Sequence, residues 1–194
     1  VQEMVNTVFH AFDLAEKYRM PAMILGDGLL GQMMEPLIFP EVDETKIEKP
    51  WATNGHQNKR EHNIINSLYL QAETLENKVL ERFERYATVE QQEVQFEDYL
   101  TDDAEIVVVA YGASSRIVRS AVNSAREQGT KVGMLRPISL WPFPKNRIKQ
   151  LADRDIKLLV VEMSMGQMVD DVRMASEYQV PVAFYGRTGG MIPT

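Results

Sequence analysis

The second half of the chain reads as an α/β domain built on a mostly parallel sheet of βαβ units. Three observations predict it. Short, β-branched apolar runs recur four times after residue 104. Segments with helical spacing separate them, and the runs end on glycine, hydroxyl or charged residues. Strands alternating with helices of about 10–15 residues require crossover connections, and crossovers make neighbouring strands parallel.

The first run is the clearest. Ile106, Val107, Val108, Val109 and Ala110 are continuously apolar, the pattern of a strand covered on both faces. Ser114 or Ser115 is placed to cap the helix that follows. Ile117, Val118, Ala121, Val122 and Ala125 form its apolar face, and Gly129 stops it. Residues 131–135 make a second strand, Arg136-Pro137-Ile138 a turn, and the proline-flanked Trp141-Pro142-Phe143-Pro144 leads into a helix over 145–152. A third strand over 157–161, a helix over 167–178 and a fourth strand over 181–185 complete the unit.

The first half is less regular. Val5, Val8, Phe9 and Phe12 fall at i, i+3, i+4 and i+7 on a helix that reaches Tyr18, and Pro21 ends it. Residues 22–25 read as a short buried strand closed by Gly26-Asp27-Gly28. Residues 29–55, with Pro36, Pro40, Pro50 and the acidic run over 41–44, read as a connector. From 57 to 97 the pattern is helical: Ile64, Leu68, Ala72, Leu75, Val79, Phe83 and Tyr86 make one stripe, and Glu81 and Arg85 are spaced for an ion pair. One helix and one strand cannot bury their own apolar faces, and Val1 is not an initiator. The expectation is a piece of a longer polypeptide.

Composition narrows the chemistry. The chain has 194 residues, 21 Lys plus Arg against 28 Asp plus Glu, and a net charge of −7, which argues against a binder that tracks nucleic-acid phosphates. No apolar run approaches the roughly 20 residues of a membrane span. Cysteine is absent, which removes disulfides, thiol nucleophiles, thiolate zinc sites and iron–sulfur ligation by these residues, and fits a cytoplasmic location. His10, His56 and His62 show no metal-ligand spacing.

In an open parallel sheet, ligands collect outside the carboxyl ends of the strands. Gly112-Ala113-Ser114-Ser115 lacks the further glycines of a dinucleotide loop and a Walker lysine, leaving helix capping or a lone anion. A phospho-receiver site would need an acidic pair after the first strand and an aspartate after the third; neither is present. Glu162, Ser164, Gly166 and Gln167 form the most pointed cluster, with Glu162 facing the free amides of the next helix. Arg136 and Arg187 sit at neighbouring strand ends as cations that can neutralise charge. No nucleophile–base pair accompanies them. On residues alone this is an α/β module that works within an assembly, its strand-end cluster a hydrogen-bonded rim that docks on another subunit.

Several strings carry a resemblance. Residues 21–36 (Pro-Ala-Met-Ile-Leu-Gly-Asp-Gly-Leu-Leu-Gly-Gln-Met-Met-Glu-Pro), 109–112, 135–144 (Leu-Arg-Pro-Ile-Ser-Leu-Trp-Pro-Phe-Pro), 161–168 (Val-Glu-Met-Ser-Met-Gly-Gln-Met) and 185–190 (Tyr-Gly-Arg-Thr-Gly-Gly) resemble, in order, the α subunit of 2-oxoacid:ferredoxin oxidoreductases, nearest to the 3-methyl-2-oxobutanoate (2-ketoisovalerate) type. The resemblance implies that residues 1–36 end a thiamine-diphosphate pyrimidine-type domain, that 37–103 are a linker with a long amphipathic helix, and that 104–194 form a transketolase C-terminal-like domain. It implies oxidative decarboxylation of a 2-oxoacid to acyl-CoA. Thiamine diphosphate, Mg²⁺ and coenzyme A would serve the complete complex. A β subunit binding the diphosphate, an iron–sulfur subunit and ferredoxin would be the partners, within a homo- or hetero-oligomer. The resemblance places the family's thiamine-activating glutamate and substrate-gripping residues in the pyrimidine domain upstream of Val1, so no catalytic, cofactor or metal residue carries over, and these residues alone are expected to be inactive. It also implies that Arg136, Glu162, Gln167 and Arg187 face the subunit interface as a polar rim. The same resemblance leaves room for a pyruvate or 2-oxoglutarate homologue, and the residues alone leave room for a stand-alone anion- or nucleotide-binding α/β module.

Overall fold

A computed structural model describes residues 1–41 and 48–194, in two compact units, 1–88 and 89–194. Val42, Asp43 and Glu44 of the acidic run lie outside the described residues.

In the first unit the expected opening helix is present as α1 (Gln2–Tyr18). It ends at Arg19, whose left-handed φ of 49° turns the chain, while the Met20 amide donates to the Ala15 carbonyl. The strand expected over 22–25 does not form. Its backbone pairs with no strand among the described residues, and Met23 is 84% exposed. An apolar run becomes a strand only when a neighbour satisfies its amides and carbonyls. A short helix not foreseen, α2 (Gly28–Gln32), follows instead, because the Asp27 carboxylate accepts from the Leu30 amide at 2.9 Å and caps it.

The long helix is shorter than its stripe suggests. α3 runs over Ala72–Gln92, so Ile64 and Leu68 fall outside it. Asparagine chemistry explains the late start. Asn66 Oδ1 accepts from the Leu68 amide while its Nδ2 donates to the Leu68 carbonyl, and Asn63 Nδ2 donates to the Pro50 and Ala52 carbonyls. The Glu81–Arg85 pair is replaced: Lys78 bonds Glu81 at 2.8 Å, and Arg85 donates to the Tyr18 and Arg19 carbonyls.

The second unit carries the sheet. β2 (Ile106–Ala110), β3 (Val132–Pro137), β4 (Lys157–Glu162) and β5 (Val182–Gly186) are the four expected parallel strands. A fifth, β1 (Phe96–Tyr99), lies in the stretch expected to be helix and linker and pairs antiparallel with β3, Glu97 opposite Arg136. The order is β1-β3-β2-β4-β5. α4 (Gly112–Glu127) packs Val118 and Val122 on one face with Val108, Ala110 and Met134. α5 (Lys145–Ala152) and α6 (Met168–Ala175) bury Ile148, Leu151, Val169 and Val172 on the other, with Val107, Val109, Leu135 and Val160. The result is a three-layer, doubly wound domain. Gly129 ends α4 as expected, at φ 87°, with its own amide on the Arg126 carbonyl and the Thr130 amide on that of Ala125.

Three arginines hold the β1–β2 turn. Arg126 donates to Asp103 and to the Leu100 and Val132 carbonyls, Arg147 to Asp98 and Thr101, and Arg154 to the Thr101 and Asp102 carbonyls. Gly133 lies under this turn; a Cβ there would stand 2.5 Å from the Leu100 carbonyl oxygen.

Candidate functional site

The chain leaves β2 for β3 on one side and then returns past β2 to β4 on the other, which puts the topological switch between β2 and β4. Tyr111 and Gly112 close β2 at this point, and Glu162 is the last residue of β4.

Glu162 is 1% exposed and fully engaged. Its Oε1 accepts from the amides of Gln167 and Val169, both at 3.1 Å. Its Oε2 accepts from the Met168 amide at 3.2 Å and the Ser164 hydroxyl at 2.9 Å. Ser164 Oγ in turn accepts from the Gly166 amide at 3.0 Å. Gly166 adopts φ 114°, a backbone open to glycine, which folds the loop back on the carboxylate. Glu162 therefore acts as a cap reaching from a strand end, satisfying the first amides of α6 and meeting the positive end of its dipole.

The surroundings respond to that charge. Burial, and secondly the negative Glu162, push the Tyr111 phenol above its ordinary value of 10.0. Burial, then Asp170 and Glu162, raise the Asp171 carboxyl. Neither group has a base or nucleophile bonded to it in an arrangement for proton transfer among the described contacts.

The rim residues do not converge. Gln167 gives its amide to Glu162 and keeps an exposed side chain; the Arg187 amide donates to the Glu162 carbonyl at 3.1 Å. Arg136 stands on β3, two strand spacings or about 10 Å away. There it shares Glu97 with Arg119, at 3.4 Å from its own Nη1. Ser114 and Ser115 do not cap α4. Both lie buried within its first turn, Ser115 donating to the Gly112 carbonyl at 2.7 Å, and the capping position belongs to Tyr111 without a side-chain bond. Tyr111 was missed by sequence reasoning; its place directly before a glycine at the end of the apolar run was the available signal. His56 and His62, scattered in sequence, come together with ring centroids 3.9 Å apart. Among the described residues no group of three or more His, Cys, Asp or Glu side chains is placed to hold a metal ion, and no helix is long and apolar enough to cross a membrane.

The second unit is thus a doubly wound α/β domain whose strand-end carboxylate is spent on its own scaffold. Comparison with known proteins sharpens this. The family described as "Pyruvate flavodoxin/ferredoxin oxidoreductase, thiamine diP-bdg" matches residues 1–101, and "Pyruvate:ferredoxin oxidoreductase core domain II" matches residues 104–194. The chain belongs to the pyruvate flavodoxin/ferredoxin oxidoreductase family. It is 49% identical over 191 residues to the ketoisovalerate oxidoreductase subunit VorB of Methanothermobacter thermautotrophicus, covering 98% of this chain and 54% of that one. It is 31% identical to the 2-oxoglutarate synthase subunit KorA of the same organism, covering 99% of this chain and 58% of that one. The chain spans about half the length of the curated relatives it matches. Its fold resembles a solved 2-oxoglutarate:ferredoxin oxidoreductase from Magnetococcus marinus with 2-oxoglutarate, coenzyme A and succinyl-CoA bound, at TM-score 0.68 and 18% identity, over 93% of this chain and 36% of that one.

Proposed function

We propose that the chain is part of the α subunit of a 2-oxoacid:ferredoxin oxidoreductase acting on a branched 2-oxoacid such as 2-ketoisovalerate, converting it to the acyl-CoA with electrons passed to ferredoxin. The supporting observation is the identity gradient: 49% to the ketoisovalerate subunit, against 31% to a 2-oxoglutarate subunit and 32% to the pyruvate synthase subunit PorA of Pyrococcus abyssi. In this reading residues 1–36 end the thiamine-diphosphate pyrimidine-type domain, 37–103 connect, and 104–194 form the C-terminal-like domain that docks on neighbouring subunits. The complex works in the cytoplasm with thiamine diphosphate, Mg²⁺ and coenzyme A, iron–sulfur clusters being carried by other subunits.

The residues described here do not fit the thiamine diphosphate–Mg²⁺ group. No acidic cluster of three side chains is available as a metal seat, Glu162 is committed to four donors, and the Gly112–Ser115 turn is helix. No reaction step is therefore assigned to them. Their part is structural: Glu162 fixes the β4–α6 loop, which presents the Gln167 side chain, and Arg187 and Arg136 flank it along the sheet edge as contacts for a neighbouring subunit.

The test is to co-express the full reading frame with its neighbouring subunits and assay 2-ketoisovalerate, pyruvate and 2-oxoglutarate with coenzyme A and a viologen dye. The highest kcat/KM is expected on 2-ketoisovalerate; a faster pyruvate or 2-oxoglutarate reaction overturns the substrate assignment. Residues 1–194 alone are expected to reduce no dye above background.

A further inference from the structure

The first unit holds a hollow of about 320 Å³ lined by Asn54, Gly55, His56, Gln57, Lys59 and Arg60. We infer that this hollow binds a phosphate-bearing anion. Every charged lining residue is basic, in a chain whose net charge is −7. Among the described residues neither Lys59 nor Arg60 pairs with a carboxylate. A lining whose only charged side chains are basic gathers positive potential over the hollow.

The loop is also built rather than merely exposed. The Arg60 guanidinium donates to the Ala52, Gly55 and Glu61 carbonyls and to Asn54 Oδ1, all within 3.0–3.2 Å, drawing the loop around one cation. Gln57 and Asn58 hold φ of 48° and 57°, left-handed conformations that side chains adopt at a cost. The Lys59 amide closes the turn on the His56 carbonyl at 2.8 Å. His56 Nδ1 accepts from the Asn58 amide at 3.1 Å, so in the neutral ring the proton sits on Nε2 and makes that atom a donor.

The donor set selects the ligand. The Arg60 fork, the usual bidentate seat for a planar carboxylate, is occupied by the loop's own oxygens. What remains is the Lys59 ammonium, the His56 Nε2–H and the side-chain amides of Asn54 and Gln57. These are single donors on residues that line the hollow, suited to a tetrahedral group with several oxygens and more than one negative charge. Such a group comes either as free inorganic phosphate or as the diphosphate of a larger molecule.

The experiment titrates the full polypeptide with inorganic phosphate and, separately, with inorganic pyrophosphate by calorimetry, at low and raised salt. Saturable binding that weakens with salt is expected. A preference for pyrophosphate identifies a diphosphate-bearing ligand, and equal affinity identifies free phosphate. Lys59→Glu, at an exposed side chain outside the loop's hydrogen bonds, is expected to weaken binding about tenfold or more. Gln57→Ala serves as a second variant with a smaller loss. Absence of saturable binding by the wild-type chain, or unchanged affinity in Lys59→Glu, overturns the inference.

Discussion

Replacing Glu162 by glutamine tests whether its carboxylate is a scaffold element. The change keeps size and shape but exchanges one acceptor oxygen for a donor NH₂. With the amide oxygen in the Oε1 position, the Gln167 and Val169 amides stay bonded, and the NH₂ confronts the Met168 amide. With the oxygen in the Oε2 position, Met168 and Ser164 stay bonded and the Val169 amide is orphaned. Either way at least one buried N–H loses its acceptor and meets another donor, and the charge that answers the α6 dipole is gone. A stranded buried donor costs about 1–3 kcal/mol, and hydrogen bonds to a charged group are worth about 1.5–3 kcal/mol each. The expected loss is therefore roughly 2–4 kcal/mol. With a urea m-value of about 1–3 kcal/mol/M, the unfolding midpoint followed by far-ultraviolet circular dichroism falls by on the order of 1 M. Ser164→Ala, which removes one of the four donors, falls by less. A Glu162→Gln midpoint within error of wild type would refute the capping role.

Three other outcomes follow from the geometry. Gly133→Ala places a Cβ 2.5 Å from the Leu100 carbonyl oxygen, a backbone atom that cannot swing aside, so about 1–3 kcal/mol is lost in the same urea melt. Asp103, held below its ordinary value chiefly by hydrogen bonds from Arg126, stabilises the fold above the unfolded carboxyl's pKa. That contribution disappears as pH falls through the depressed folded value; Asp103→Asn should flatten the acid limb of a stability–pH curve and leave the alkaline limb unchanged. Tyr111 is shifted the opposite way, its phenol raised by burial and by Glu162, so its contribution is complete below the unfolded value near 10.0 and lost as pH rises through the folded one. Tyr111→Phe should remove a late-titrating phenolate from an ultraviolet absorbance titration.

The parallel strands were legible because burial on both faces leaves a signature that survives without context: Val107, Val108 and Val109 have few alternatives. β1 was hidden because Glu97 and Asp98 are poor strand formers, and its place is set by partners remote in sequence. The Ile138 and Ser139 amides both donate to the Gln95 carbonyl, a contact that only the folded sheet brings about. The opposite error, a helix expected through Ile64 and Leu68, arose from reading the apolar stripe without its asparagines, whose side chains offer the backbone a local alternative. At the sheet edge the cluster around Glu162, and its facing the free amides of the next helix, were visible in the residue order, whereas the number of donors that occupy the carboxylate lay in distances.

The two units differ in how their apolar residues are satisfied. In residues 89–194 both sheet faces are covered, and Val107, Val109, Met134, Leu135, Ile148 and Val160 are completely shielded from solvent. In residues 1–88 the only buried apolar side chain among those described is Tyr18, while Phe12, Met34, Ile38, Phe39, Ile64 and Phe83 stand more than half exposed. Each such side chain gains about 1.5–3 kcal/mol on full burial. Residues 89–194 carry their own hydrophobic stabilisation. Residues 1–88 show no comparable shielded set among those described, so their apolar side chains add stabilisation only where a further surface covers them.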